Sequence, residues 1–248
     1  LRALIDADIV AFRCAAAAEN DDFGICAYYM DQLIDEIHAG TGATESSFYL
    51  SGKGNFRYDI YPEYKANRDG MPVPRHRQAA KDYLATKYGA TYSEGCEADD
   101  MMGIEQCKSN GTIICSLDKD LLMIPGNHFS WEIRGVSVRK LPTGEEVRTP
   151  WVKPAITRTV EPMDGLRHFY KQCIIGDVAD NVKGIHRRGQ KFADKLLDGL
   201  ETEQEMFDAV RDEYGIDEAF LMNARCLWIW QKEGDDFKER FEQLCQPG

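Results

Sequence analysis

Acidic residues in this 248-residue chain recur in close groups, a pattern suited to holding a hard divalent cation. Asp6 and Asp8 stand two apart at the end of an apolar run, and Glu97, Asp99 and Asp100 fall within four residues. Asp118 and Asp120 follow another apolar run, and Asp177 and Asp180 lie in Gly-Asp-Val-Ala-Asp-Asn. Brought into one crevice, so many carboxylates would repel strongly unless cations were bound, and Mg²⁺ or Mn²⁺ prefers oxygen ligands. Two such ions can activate water and stabilise the leaving oxygen in phosphodiester hydrolysis. Taken singly, each group reads most often as a helix cap or solvated turn. Their combination favours metal ligation.

The elements expected to position these groups alternate between strand and helix. Arg2 to Ile5, Ser47 to Leu50 and Thr112 to Cys115 read as short buried strands, while Ile25 to His38, Tyr83 to Lys87 and Glu97 to Lys108 read as helix. Alternation of this kind predicts an α/β fold with a mainly parallel central sheet flanked by helices. In such a sheet, ligands gather beyond the carboxyl ends of the strands, where Asp6, Asp8, Asp118 and Asp120 would arrive. Glu97, Asp99 and Asp100 would open a helix whose dipole favours negative charge. Val136 to Leu141 and Glu146 to Arg148, around Pro142-Thr143-Gly144, suggest a hairpin. From about Glu161 the pattern is mainly helical, which divides the chain into a core over 1–160 and a helical region over 161–248.

The formal net charge of -12 argues against a nucleic-acid partner, but its distribution does not. Between Lys53 and Lys81, seven basic residues face three acidic ones, and a second basic segment runs from Lys183 to Lys195. Much of the excess acid lies after Asp198. No stretch approaches the roughly 18 to 20 apolar residues of a membrane span, and the start reads as no export signal. The eight cysteines are scattered without a C-x-x-C pair, as expected of reduced core residues in a cytoplasm.

In order, Leu4-Ile5-Asp6-Ala7-Asp8, Gly52-Lys53-Gly54-Asn55-Phe56-Arg57, Tyr61-Pro62-Glu63-Tyr64-Lys65-Ala66-Asn67-Arg68, Glu97-Ala98-Asp99-Asp100, Ser116-Leu117-Asp118-Lys119-Asp120 and Gly176-Asp177-Val178-Ala179-Asp180-Asn181 resemble motifs of the 5′-nuclease (flap endonuclease-like) superfamily. The compact length is most similar to phage-encoded 5′→3′ exonucleases. Gly184-Ile185 with Gly189-Gln190-Lys191 resembles that family's helix-three-turn-helix. The resemblance implies a PIN-like core and hydrolysis of DNA at a 5′ end, flap or nick, by exonuclease or flap-endonuclease action. The RNA strand of a hybrid is an alternative substrate. The setting implied is phage replication or primer removal, in the cytoplasm of a bacterial host, beside other replication proteins. Asp6, Glu97, Asp99 and Asp100 would surround one metal, and Asp118, Asp120 and Asp180, with Asp177 nearby, the other. Lys65 and Arg68 match basic arch residues that approach the scissile phosphate, Tyr64 would stack on a base, and Lys53 and Arg57 would touch DNA. Gly184, Gly189 and Lys191 would hold duplex phosphates, with a K⁺ ion at the same motif.

Two positions depart from the family pattern. Where relatives often carry an Asp before the Gly-Lys-Gly-like segment, this chain has Ser51 or Gly52, and Arg187 replaces the first Gly of the helical motif. Asp8 could compensate for the missing carboxylate or cap the following helix. A rival from another class is a haloacid-dehalogenase-like phosphatase with Asp6 as nucleophile. It leaves Glu97 to Asp100 and Tyr61 to Arg68 unexplained.

Overall fold

The computed structural model describes residues 1–246. Its central sheet has six strands in the order β3-β2-β1-β4-β5-β8, formed by β1 (Arg2–Asp6), β2 (Glu45–Lys53), β3 (Thr91–Glu94), β4 (Thr112–Cys115), β5 (Gly126–Ser130) and β8 (Ile156–Val160). All neighbours pair in parallel except β5 and β8, so the sheet is mainly parallel, as expected.

Alternation along the strands explains how the sheet is buried on both faces. Ala3, Ile5, Ile113 and Cys115 pack into one apolar cluster with α1 (Ala7–Ala17), α2 (Phe23–Thr41) and α4 (Arg77–Tyr88). Leu4 and Ile114 point the other way, into a cluster with α5 (Ala98–Lys108), α6 (Pro162–Ile175), α8 (Glu203–Tyr214), α9 (Asp217–Leu227) and α10 (Lys238–Leu244). Helix α1 fits close to the sheet because its buried face is small: Ala7, Val10, Ala11, Cys14 and Ala15.

Between β2 and α4 the chain crosses the carboxyl edge of the sheet as α3 (Arg57–Ile60) and a 3₁₀ turn at Ala66–Arg68. Gly52 lies where the β2–β3 register shifts, and a Cβ there would come within 2.1 Å of the Ser93 carbonyl oxygen. No side chain fits, so of the two positions that could carry the family's acid only Ser51 can bear one. The hairpin appears as a separate ribbon, β6 (Ile133–Lys140) with β7 (Glu146–Lys153), standing off the sheet between β5 and β8. After α6, a short ladder of β9 (Gly176–Asp177) and β10 (Val182–Lys183) leads to α7 (Gln190–Leu196). Gly184 is required there, since a Cβ would fall 2.2 Å from the Ile175 carbonyl carbon. None of the helices described is long and apolar enough to cross a membrane.

Candidate active site

Asp6 ends β1 and opens α1. One of its oxygens accepts the Ile9 amide at 3.0 Å and the other accepts the Ser116 hydroxyl at 2.7 Å. The same hydroxyl oxygen accepts the Asp118 amide at 2.9 Å, so Ser116, at the end of β4, ties two strand-end carboxylates together. Asp118 in turn accepts the Asp120 amide at 2.9 Å. Gln172, from the interior of α6, donates to Asp120 at 2.6 Å. Asp177 accepts the Ala179 amide at 2.6 Å, which turns the chain so that Asp180 faces Tyr64, Lys65 and Arg68.

The 57–68 segment closes the crevice. Lys65 takes a left-handed backbone conformation (φ 58°), fixed by its amide donating to the Asp180 carbonyl at 2.9 Å. Its ammonium donates to Glu97 and lies 3.6 Å from Asp180. Arg68 donates to the Asp180 carboxylate at 2.5 Å and to the Ala179 carbonyl at 3.0 Å. Lys65 and Arg68 therefore stand at the carboxylates.

The charge state of the crevice follows from this distribution of partners. Burial, outweighing the Ile9 and Ser116 hydrogen bonds and helped by Asp8 and Asp118, pushes Asp6 up to about 7. Burial, then the charges of Asp118 and Asp177, pushes Asp120 up to about 8. Asp99 is raised by burial and by Asp6, Asp118 and Glu97, and Asp118 mainly by burial. Glu97 goes the other way, because Lys65 and Arg57 outweigh its burial. Asp177 is also lowered, as its bonds from Asp120 and from the Ala179 and Asp180 amides overcome burial. Such oxygen-only donors, carrying negative charge that burial makes costly, fit hard divalent cations. Among the described residues no three such side chains stand close enough to enclose an ion as arranged here, with Lys65, Arg68, Tyr64 and Gln172 engaging the oxygens.

Three expected site residues have other duties. Asp100 is fully buried and accepts four bonds: from Arg57 at 2.7 and 2.8 Å, from the Glu97 amide at 2.9 Å and from the Trp230 amide at 3.1 Å. It locks the start of α5 and has no oxygen to spare for a metal. Arg57, only 2 % exposed, spends its remaining donors on the carbonyls of Cys226 and Trp228 and cannot reach DNA from there. Tyr64 is 2 % exposed, too buried to stack on a base; its hydroxyl lies 2.6 Å from Asp180 and 3.1 Å from Glu97. Lys53, Gly189 and Lys191 are exposed, the last two at the start of α7.

At the departures, Ser51 accepts the Ala98 amide on its hydroxyl at 3.1 Å and so caps α5. Asp8 accepts the Ser51 amide at 2.6 Å and pairs with Lys81 at 2.5 Å, while Asp6 caps α1. Arg187 holds the left-handed φ of 60° that a glycine would adopt without strain. Sequence reasoning did not single out Ser116 or Gln172. Ser116 lies inside the Ser-Leu-Asp motif and could have been found by its spacing, whereas Gln172 sits in an ordinary helical stretch with no such signal.

Fold and site together define a three-layer α/β domain with an acidic crevice at the carboxyl edge of its sheet and cations closing over it. Residues 2–149 match the family described as 5′-3′ exonuclease, N-terminal resolvase-like domain, and the chain belongs to that family. It is 27% identical to DNA polymerase I of Bacillus caldotenax over 212 residues, covering 78% of this chain and 23% of that protein. With DNA polymerase I of Rhizobium leguminosarum the identity is 30% over 188 residues, 71% of this chain and 17% of the relative. A 5′-3′ exonuclease of Buchnera aphidicola is 28% identical over 155 residues, 59% of this chain and 50% of the relative. The chain thus spans a quarter or less of these polymerases and half of the Buchnera exonuclease. The T5 5′-exonuclease structure with divalent zinc bound superposes with a TM-score of 0.68 at 16% identity, over 98% of both chains. The phage T5 D15 flap endonuclease with DNA and metal ions gives 0.61 at 17%, over 98% of this chain and 97% of that one. The phosphatase alternative finds no support in these matches.

Proposed function

We propose that this chain is a divalent-metal-dependent nuclease that hydrolyses DNA phosphodiester bonds from or near a 5′ end, as a 5′→3′ exonuclease, a flap endonuclease or both. The observation that carries this reading is the meeting of Asp6, Glu97, Asp99, Asp118, Asp120, Asp177 and Asp180, from four separate stretches of chain, beneath Lys65 and Arg68. Asp6, Glu97 and Asp99 would hold one Mg²⁺ or Mn²⁺, and Asp118, Asp120, Asp177 and Asp180 a second. Bound there, the two ions supply charge neutralisation and a more acidic water for the attack. Lys65 and Arg68, paired with Glu97 and Asp180, would exchange those partners for the scissile phosphate once the carboxylates held cations. Ser116 keeps Asp6 and Asp118 in a fixed relation, and Gln172 orients Asp120.

Exposed Lys191 and the Gly189 turn, with the left-handed Arg187, support a duplex-phosphate contact in a helix-three-turn-helix with K⁺. A replication or primer-removal role in a phage-infected bacterial cytoplasm, with an RNA strand as an alternative substrate, rests on the likeness to the polymerase and phage proteins. Incubating 5′-labelled and 3′-labelled duplex and flap DNA with Mg²⁺ or Mn²⁺ and sizing the products tests the reading. Products released from the 5′ side are expected. Full activity in excess chelator, or turnover of simple phosphomonoesters with DNA untouched, would overturn it.

A further inference from the structure

The 131–158 segment carries six basic residues against three acidic ones in a chain of net charge -12. It adds little to the core, for every residue of β7 is exposed and β6 is exposed over most of its length. Two of its three acids are already paired: Glu132 with Arg134, and Glu146 with Lys140 and Arg148. Arg139, Lys153 and Arg158 form no ion pair among the described residues. At the base of the ribbon lies a cleft of about 100 Å³. Lys119, Lys153, Arg158 and Ser130 line it together with Ser116 and Asp118 of the acidic crevice, so the cations begin where the candidate site ends.

Register places Trp151, Lys153 and Arg139 on one face of the ribbon. Trp151 crosses to Gly135, where a Cβ would come within 2.4 Å of the indole ring, so the ring lies flat over the partner strand, 43% exposed. The opposite face presents Val136, Val138 and Val152, each more than half exposed. Folding alone does not account for such a surface, since an isolated two-stranded ribbon is marginal in water. In the sheet order, β5 and β8 lie on the other side of β1 from β2, whose end leads into the 57–68 segment with Lys65 and Arg68. Cations therefore flank the carboxylates on two sides.

We propose that the ribbon and the cleft at its base hold double-stranded DNA on the side of the carboxylates away from Lys65 and Arg68, the cleft taking one backbone phosphate. This rests on the nuclease reading and extends it to the path of the substrate. Six residues of strand between Ile133 and Arg139 span roughly 20 Å. At 3.4 Å per base pair along one strand, that is about six base pairs of duplex within reach of the ribbon. The charge of the ribbon selects a polyanion, and the phosphates of duplex DNA supply it at that spacing.

The test is fluorescence anisotropy with a 5′-flap DNA bearing a 20-base-pair duplex, in EDTA, across a NaCl titration. The unmodified protein is compared with a Lys153→Ala/Arg158→Ala/Arg139→Ala variant and with Trp151→Ala. All four residues are exposed, and circular dichroism checks that folding is kept. Removing three phosphate contacts reduces the slope of log K against log[salt] by about 2.7 and weakens binding roughly tenfold or more at low salt. Trp151→Ala weakens binding without changing the slope. Unchanged affinity and slope in the triple variant, while the unmodified protein binds and cuts DNA, overturns the proposal and leaves the nuclease reading standing, with the ribbon assigned to a protein partner. Failure of the unmodified protein to bind or cut DNA overturns the nuclease reading and this proposal with it.

Discussion

Asp99 and Asp100 are neighbours on the first turn of α5, yet they sit in opposite electrostatic worlds. Asp100 turns inward to a guanidinium and two backbone amides, and every lone pair it offers is taken. Asp99 turns toward Asp6, Asp118 and Glu97, all of its own sign. One carboxylate is neutralised by the chain itself, and the other is set among like charges, where a proton or a bound cation would relieve it. A step of about 100° around a helix is enough to move a side chain from one surrounding to the other. The region around Arg57 is therefore built for stability, and the crevice holds repulsion that a bound cation would relieve.

The largest expected effect of that difference is on turnover. Asp99→Asn lowers DNA cleavage on the order of 100-fold or more, while the metal-free protein keeps or gains thermal stability because one repelling charge is gone. Measuring product formation beside a melting curve checks both halves; near-normal turnover would break the comparison at its stronger end. Arg57→Ala should show the reverse ordering. Leaving Asp100 buried without its partner costs about 3 to 5 kcal/mol, read from denaturant unfolding. If instead Arg57 served DNA, the variant would unfold at the normal denaturant concentration and lose only affinity.

A smaller effect should appear with pH. Carboxyls at about 7 (Asp6) and about 8 (Asp120) hold protons in the folded protein that the unfolded chain has already lost at ordinary carboxylate values. The native state then binds more protons, so stability falls as pH rises from roughly 4 toward 8. Glu97 and Asp177 are lowered, and their contribution is lost only on the acid side of the ordinary range. Chelated protein should thus melt lower at pH 8 than at pH 5.5, and Mg²⁺ should flatten the slope by favouring the ionised carboxylates. An equal slope with and without Mg²⁺ would mean that the ion does not enter the crevice.

The Asp99–Asp100 contrast also marks how far the amino-acid pattern can be read. Strands that are continuously apolar, such as Ala3-Leu4-Ile5 and Ile113-Ile114, announce a sheet covered on both faces, and the acids at their ends announce the crevice. β5 and β8 were not legible: Gly-Asn-His-Phe-Ser and Ile-Thr-Arg-Thr-Val are short, and their polar residues are accommodated by pairing with each other at the sheet edge. Helix phase was not legible either, because Glu-Ala-Asp-Asp reads the same whichever Asp turns inward. What decides it is Arg57, 43 positions earlier, whose guanidinium is buried by α9 and the chain after it. Arg57 and Tyr64 read as surface DNA contacts because their types suit that role, and burial by residues far away in the chain gives them another.

Tyr64 lies between the two surroundings and gives the finest test of where one ends. Its ring is buried in the core and meets the exposed Tyr58 ring edge-on, while its hydroxyl reaches Asp180 and Glu97 at the crevice wall. Burial and the neighbouring Glu97 hold the phenol far from ionising, so it acts as a donor to these carboxylates. Tyr64→Phe keeps the packing and removes one hydrogen bond, which costs about 0.5 to 1.5 kcal/mol of stability without metal. The freed carboxylate oxygen then favours a cation more, so the Mg²⁺ concentration for half-maximal cleavage should fall by about two- to tenfold, the same energy range. Tyr64→Ala should instead cost about 3 to 5 kcal/mol through the cavity it leaves. A base-stacking tyrosine would behave differently: Phe would cleave with an unchanged metal requirement, and Ala would fold normally but bind the 5′ region weakly. A metal titration and an unfolding curve on the same pair of variants separate the two outcomes.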